Sequence, residues 1–420
     1  MSPAARAQGL GNSPYSALGV GEEYSQANIA NLGMGSVGIS NANTVHLNLQ
    51  NPALLARRAR FTVFEVGIIG QYKPQISQNQ GGSTVSQRDF GANINYIALA
   101  FPASSRWTTS LNLRPYSYVD YQTKVFDKVP NTIYEVQKNY SGKGALNKAS
   151  FANGFRFFKN LYVGVEASYL FGNITNNSDS RLLINDVVSS VQPQDITVSR
   201  INRTNYSDIV WKLGAAWRPK LGEKWTLNLG AAYDPKTSVK AVQTDVNQLV
   251  TLSGTSLSDP DTLRANLTGH ITLPEQMQFG ISLERNNKLT VGVDVGFQKW
   301  SQYRTADNAN PKLMDGMRLA AGLEYIPKIT STKYWDLVTY RAGFQYIKSP
   351  YQVSGKQLND INGSVGISLP IGSYFVNNLN LAFVGGQRGT LIGTQIRERY
   401  VKIALGFTLN DKWFYRYALD

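Results

Sequence analysis

The 420-residue chain contains no cysteine. That excludes a disulfide framework, a thiolate metal site and thiol catalysis. Its two histidines, His46 and His270, are too few for a histidine-built metal centre, and each reads as a single polar contact in a loop or plug. Neither a metal nor a cofactor is expected. Charged residues make up only 17%, and mean hydropathy is −0.26. No apolar run reaches the roughly 18 residues that a membrane-crossing helix needs. The net charge is +14, from 42 Lys and Arg against 28 Asp and Glu. These charges are scattered, with no long run of one sign. They fit a solvated rim that meets anionic outer-membrane lipid better than a nucleic-acid interface.

What the chain does have is Gly 37, Tyr 23, Phe 17 and Trp 7, arranged in alternating segments. In 289–298, Leu289, Val291, Val293, Val295 and Phe297 share one parity, while Thr290, Gly292, Asp294, Gly296 and Gln298 share the other. A strand repeats every two residues, so one face is greasy and the other polar or small. The same alternation runs through 161–169, 225–233 and 401–409. A sheet closed on itself satisfies its backbone groups in lipid with only about 9–11 residues per crossing.

Fourteen strands are predicted: 61–76, 88–101, 107–125, 144–158, 161–176, 204–218, 224–240, 273–285, 289–303, 315–326, 335–348, 359–369, 377–387 and 398–409. Links after even-numbered strands are short, such as Lys159-Asn160 and 286–288. Those after odd-numbered strands include the long stretches 126–143, 177–203 and 241–272. Outer-membrane barrels sort their connections in this way, with short periplasmic turns and long external loops. The expected fold is therefore all-β, a 14-stranded antiparallel transmembrane β-barrel in the bacterial outer membrane. Residues 59–420 form the barrel, and the Gly-, Asn- and Ser-rich residues 8–58 form an N-terminal hatch in its lumen. Trp107, Trp217, Trp225, Trp335 and Trp413 fall near strand ends, where an amphipathic ring suits the lipid–water boundary. Ala5-Arg6-Ala7 before Gln8 has the small-x-small form that closes an export signal, without an apolar stretch ahead of it. A shortened signal and a plain tail both fit.

Motifs that suggest catalysis do not hold together. Gly33-Met34-Gly35-Ser36-Val37-Gly38 satisfies G-x-G-x-x-G, but no strand precedes it, and Arg57 and Arg58 stand where a dinucleotide fold needs an acid. Its glycines fit tight turns inside a barrel. Glu166 and Asp294 have the inward parity, but no nucleophile–base pair accompanies them, so they read as lumen lining. No enzymatic activity is expected.

Three motifs carry a family likeness. Asn51-Pro52-Ala53, followed by Leu54 and Leu55, stands just before the first strand. Leu273-Pro274-Glu275 opens the eighth, and Trp300-Ser301-Gln302 closes the ninth. In this order and within a fourteen-strand count, the chain resembles the FadL-type long-chain fatty-acid transporters of the outer membrane, barrels plugged by an N-terminal hatch. The resemblance implies passive uptake of a hydrophobic small molecule or lipid, released sideways through a gap beside a kinked third strand. Arg114-Pro115-Tyr116 lies in that strand; proline cannot donate to a ladder, so a lateral opening and an ordinary bulge near the strand end both fit there. Ligand would first meet apolar loop surface at Leu249, Val250 and Leu252, then a pocket partly filled by Leu18, Val20 and Ile29. The family's basic residue near the top of strand five is missing from Tyr169-Leu170-Phe171-Gly172-Asn173. Arg156, Lys212, Arg318 and Arg341 are the candidates to replace it. The resemblance equally admits a second role, as a structural barrel that binds a protein partner in an outer-membrane machine such as type IX secretion.

Overall fold

Each strand places its large apolar side chains on one face and its polar or small ones on the other, and a sheet built this way closes with the greasy face outward. The computed structural model describes residues 9–57, 61–78, 84–132, 134–183, 196–251, 255–353, 355–372, 377–391 and 396–411. The strands are β1 (Thr62–Gln78), β2 (Thr84–Ser104), β3 (Trp107–Lys128), β4 (Glu135–Arg156), β5 (Leu161–Leu183) and β6 (Ile196–Trp217). Next come β7 (Trp225–Asp234 and Thr237–Thr251), β8 (Asp261–Leu273 and Gln276–Arg285), β9 (Leu289–Gln298) and β10 (Gly316–Tyr325). The last are β11 (Thr339–Val353), β12 (Lys356–Ile371), β13 (Asn377–Arg388) and β14 (Ile396–Asp411). Neighbours pair antiparallel in chain order, and β14 closes on β1 from Ile396↔Ser77 to Asp411↔Thr62. The fourteen-strand transmembrane barrel read from the alternation is the fold.

Burial is inverted relative to a water-soluble protein. Val291, Val293 and Phe297 are 40–48% exposed, whereas Asp294 between them is fully buried. Ile403 and Leu405 point outward while Ala404 is buried. Only lipid makes that arrangement favourable, because apolar side chains there face apolar solvent and every ladder bond stays internal. Trp107, Trp217 and Trp335 are exposed near strand ends at the side of the short turns. Trp413 lies outside the described residues.

The external connections differ from expectation. Much of 126–143, 177–203 and 241–272 is strand: β3 runs on to Lys128, β5 to Leu183, β7 to Thr251, and β8 begins at Asp261. Above the membrane both faces of a strand meet water, so the ladder continues without the alternation that marks it in the sequence. One consequence concerns Leu273-Pro274-Glu275. It does not open β8 but interrupts it midway, level with Pro235 in β7, where Asp234 pairs with Gln276 and Thr237 with Leu273. Two prolines without N–H groups thus break adjacent strands at one height. β9 ends at Gln298, and Trp300–Gln302 form a short 3-10 turn beyond it. β11 starts at Thr339 after a one-turn helix, Tyr334–Leu337.

Candidate functional site

Residues 9–57 run inside the wall, and most are buried. From β4 round to β12 each strand carries an inward glycine at which an added Cβ would meet residues 33–56. At Gly154 that Cβ would lie 2.7 Å from the Pro52 carbonyl oxygen and 2.8 Å from the Ala56 nitrogen. Gly164 and Gly214 face the same turn, Gly230 faces Ile39, and Gly366 faces Gly33. The segment therefore packs backbone against wall, which only glycine permits.

Asn51-Pro52-Ala53 sits at this contact. The Asn51 Nδ2 donates to the Ile39 oxygen at 2.9 Å and to the Ala215 oxygen of β6 at 3.1 Å. Its Oδ1 accepts from the Ala53 nitrogen at 3.1 Å, and Pro52 begins the 3-10 turn Pro52–Arg57. The glycine run 33–38 is a wall contact too. Gly35, at φ +68, lies against β10 and β11, and the nitrogens of Gly38 and Ile39 donate to Asp294 of β9 at 2.7 and 2.9 Å. Glu166 is bound by Arg114 at 2.7 Å, and Arg114 also donates to the Leu49 oxygen at 2.9 Å. Arg341 donates to Glu324 at 2.7 Å and lies 3.3 Å from the Nε2 of His46. Both inward carboxylates noted in the sequence thus hold the N-terminal segment or the cations that do so.

The wall is incomplete at Pro115. The β2–β3 ladder runs from Ser104↔Trp107 to Ile97↔Leu113 and stops. On its other side β3 stays paired to β4, with a bulge between Pro115 and Ser117. Above the break, the free edge of β3 is taken by the N-terminal segment. Glu22 and Glu23 form a two-residue strand opposite Tyr118 and Ser117. The nitrogens of Tyr24 and Ser13 donate to the oxygens of Tyr116 (2.9 Å) and Asp120 (2.8 Å). Gly9–Gly11 cover Gly91 of β2, across the gap. Nothing in a two-residue strand announces itself in a sequence, and this pairing was not anticipated.

The lumen has two unlike sides. Beside the break is an apolar cluster: Tyr116 and Val119 of β3, Leu146 of β4, Leu170 of β5, Val210 of β6 and Ile271 of β8, packed on Val20, Trp300 and Leu18. Next to it, with Tyr351 in common, is a cavity of about 190 Å³ lined by the polar Glu22, Glu23, Gln298, Arg318, Arg388 and Lys402 and the apolar Phe297, Met317 and Ile347. Burial raises the Glu22 carboxyl, but Arg388 at 2.8 Å and Lys73 at 3.6 Å outweigh it and hold the group far below its ordinary value. Burial pushes Glu23 up, against hydrogen bonds from Gln298 and Tyr116. Ile29, expected in a pocket, is fully buried in a separate cluster with Tyr96.

The two later motifs meet each other. Lys299 pairs with Glu275, its nitrogen donates to the Glu275 oxygen at 3.1 Å, and Leu273 and Trp300 share the apolar cluster. Ser301 and Gln302 complete the turn that carries Trp300 over the lumen. Leu249 and Val250 lie at the outer end of β7 on a strand rather than in a loop, away from this cluster; Leu252 is outside the described residues. Of the four replacement cations, Arg156 bonds the Ser105 oxygen, Lys212 meets Gln26 and Asp234, and Arg341 holds Glu324. Arg318 stands 3.9 Å from Asp294. The sequence reading missed Lys148 of β4, although its parity is inward. It is buried across the ladder from Leu170, with its ammonium 4.3 Å from the Tyr116 ring centre.

A BamG family model matches residues 1–420. No curated protein matches. Solved structures share the fold at low identity. The toluene transporter TbuX of Ralstonia pickettii is 15% identical at a TM-score of 0.57, with 92% of this chain and 99% of that one covered. The CymD monoaromatic hydrocarbon channel gives 13%, 0.56, 91% and 97%. A Pseudomonas aeruginosa FadL homologue gives 13%, 0.53, 94% and 99%.

Proposed function

Because the chain belongs to the BamG family and has the fold of FadL-type barrels, we propose that it passes hydrophobic small molecules across the bacterial outer membrane. Residues 9–57 act as its hatch. The observation that carries this reading is the ladder break above Leu113, which adjoins the apolar side of the lumen. Cargo enters from the outer ends of the strands near Leu249 and Val250 and takes the place now filled by Leu18 and Val20. It leaves through the gap at Arg114-Pro115-Tyr116 once Glu22–Glu23 release β3. Burial of apolar surface at about 25 cal/mol per Å² draws the ligand in, so no energy source is required. The toluene and monoaromatic channels of the same fold make a compact hydrocarbon a reasonable cargo. Lys148, beside the gap, is the cation that would meet a fatty-acid carboxylate.

The absence of cysteine permits a reversible test. Ser117 donates to the Val20 oxygen at 2.7 Å, so a Val20→Cys, Ser117→Cys pair would tie the hatch to β3 on oxidation. Uptake of labelled toluene by Gram-negative cells carrying the protein is expected to fall on oxidation and return on reduction. Uptake indifferent to the lock would refute the route. Pro115→Thr, which restores a strand-former, is expected to lower uptake as well.

A second reading, a structural barrel holding a protein partner in an outer-membrane machine, draws support from the ion pairs that tie Glu22 to Arg388 and Lys73 and from the glycine seat, both of which suit a permanent plug. Stoichiometric copurification of one partner, with no toluene uptake, would favour it.

A further inference from the structure

The geometry points to a binding groove for the departing hydrocarbon on the lipid-facing wall, directly below the break. At the height of the last β2–β3 pair, Ile97 and Leu113 are followed around the wall by Ala149, Tyr169 and Ile209. One step lower the outward residues are Leu99, Leu111, Phe151, Ala167 and Trp211. Everywhere else along these two rows the side chains are large. Ala149 and Ala167 are diagonal neighbours, and together they leave a groove of about 550 Å³ walled by Leu113, Phe151 and Tyr169. The Tyr169 ring is stacked on Phe171 at 5.7 Å, which stiffens the upper wall.

Two features assign this groove to cargo rather than to bulk lipid. Its rim includes Leu113, the residue at which the ladder stops, so groove and gap form one continuous surface. The apolar cluster inside reaches the same place through Tyr116. A molecule leaving the lumen must cross the β3 edge that Glu22–Glu23 cover in this structure and expose on release, where freed backbone groups give apolar matter nothing. A dip lined by apolar side chains immediately beyond that edge gives it a favourable first contact outside. The inference rests on the uptake reading above and adds to it the ligand's first station in the membrane, with a shape suited to a small flat or slender hydrocarbon.

Filling the groove tests this without touching hatch or gap. Ala149→Phe and Ala167→Phe are lipid-facing changes, and Val365→Phe, on the outward face of β12, is the control. Folding is checked by the heat-dependent gel shift of the barrel. Toluene uptake is expected to fall about tenfold in either groove variant, the factor that a loss of about 1.4 kcal/mol of contact produces, and to stay unchanged in the control. Normal uptake in both groove variants, with the Val20–Ser117 lock still blocking, would overturn the groove and leave the uptake reading standing. A lock without effect would overturn both. A photoreactive monoaromatic probe added from outside should label the wall around Ala149 only when the lock is open. Equal labelling in the locked protein would mean that the groove fills from the bilayer, and the inference would fail.

Discussion

Replacing Gly154 by alanine probes the contact on which the plugged-lumen reading depends. The new methyl would stand 2.7 Å from the Pro52 oxygen and 2.8 Å from the Ala56 nitrogen, where ordinary contact begins at 3.4 Å. Both obstacles are backbone, pinned by Asn51 to Ile39 and Ala215, so neither yields as a flexible side chain would. Overpacking of this kind costs about 1–3 kcal/mol. At about 1.4 kcal/mol per tenfold, the folded-to-unfolded ratio falls by about fivefold to about 140-fold. Alanine also restricts the unfolded chain, which offsets roughly 0.4–1 kcal/mol. Gly385→Ala isolates that offset, since none of the described residues lies within 4 Å of its Cβ position. Urea unfolding in lipid vesicles should therefore place Gly154→Ala below wild type and Gly385→Ala at or above it. If the two variants unfold together, to within about 0.5 kcal/mol, residues 52–56 do not press on the wall and the argument for a seated plug fails.

Other consequences are open to the same measurements. Arg341→Ala leaves Glu324 buried without its cation and should cost about 3–5 kcal/mol, whereas Arg341→Leu with Glu324→Leu should recover much of that. Asp294→Asn keeps the size but weakens two charge-assisted bonds from Gly38 and Ile39, a loss of about 1–3 kcal/mol in urea; an unchanged midpoint would show that the glycine run is held otherwise. The Glu22 carboxyl is held below its ordinary 4.5, so its contribution is complete above that pH and is lost as pH falls below it towards the folded value. Protease protection of residues 9–24 should decline as pH falls below about 4.5 through the loss of Glu22, while Glu23, raised by burial, acts in the opposite direction above that pH. Glu22→Gln should remove that acid-dependent step.

The sequence by itself determined the barrel. Parity in stretches such as Leu289–Phe297 says which side chains meet lipid, and short turns after alternate strands set the direction of each crossing. The glycine run was legible as a place of tight turning, because turn chemistry is also local; Asn51-Pro52-Ala53 was readable only through the family resemblance. Tertiary structure alone decided where the strands end above the membrane, since a strand wet on both faces loses its alternation. It alone moved Leu273-Pro274-Glu275 from the start of β8 to its middle, and it alone joined Glu22–Glu23 to β3 beyond Pro115. The groove at Ala149 and Ala167 arises only once register sets the two alanines diagonally side by side. Alternation is a property of one strand and can be read along it; register, a missing ladder and a shared cavity are properties of strands far apart in the chain, and only closure of the sheet fixes them.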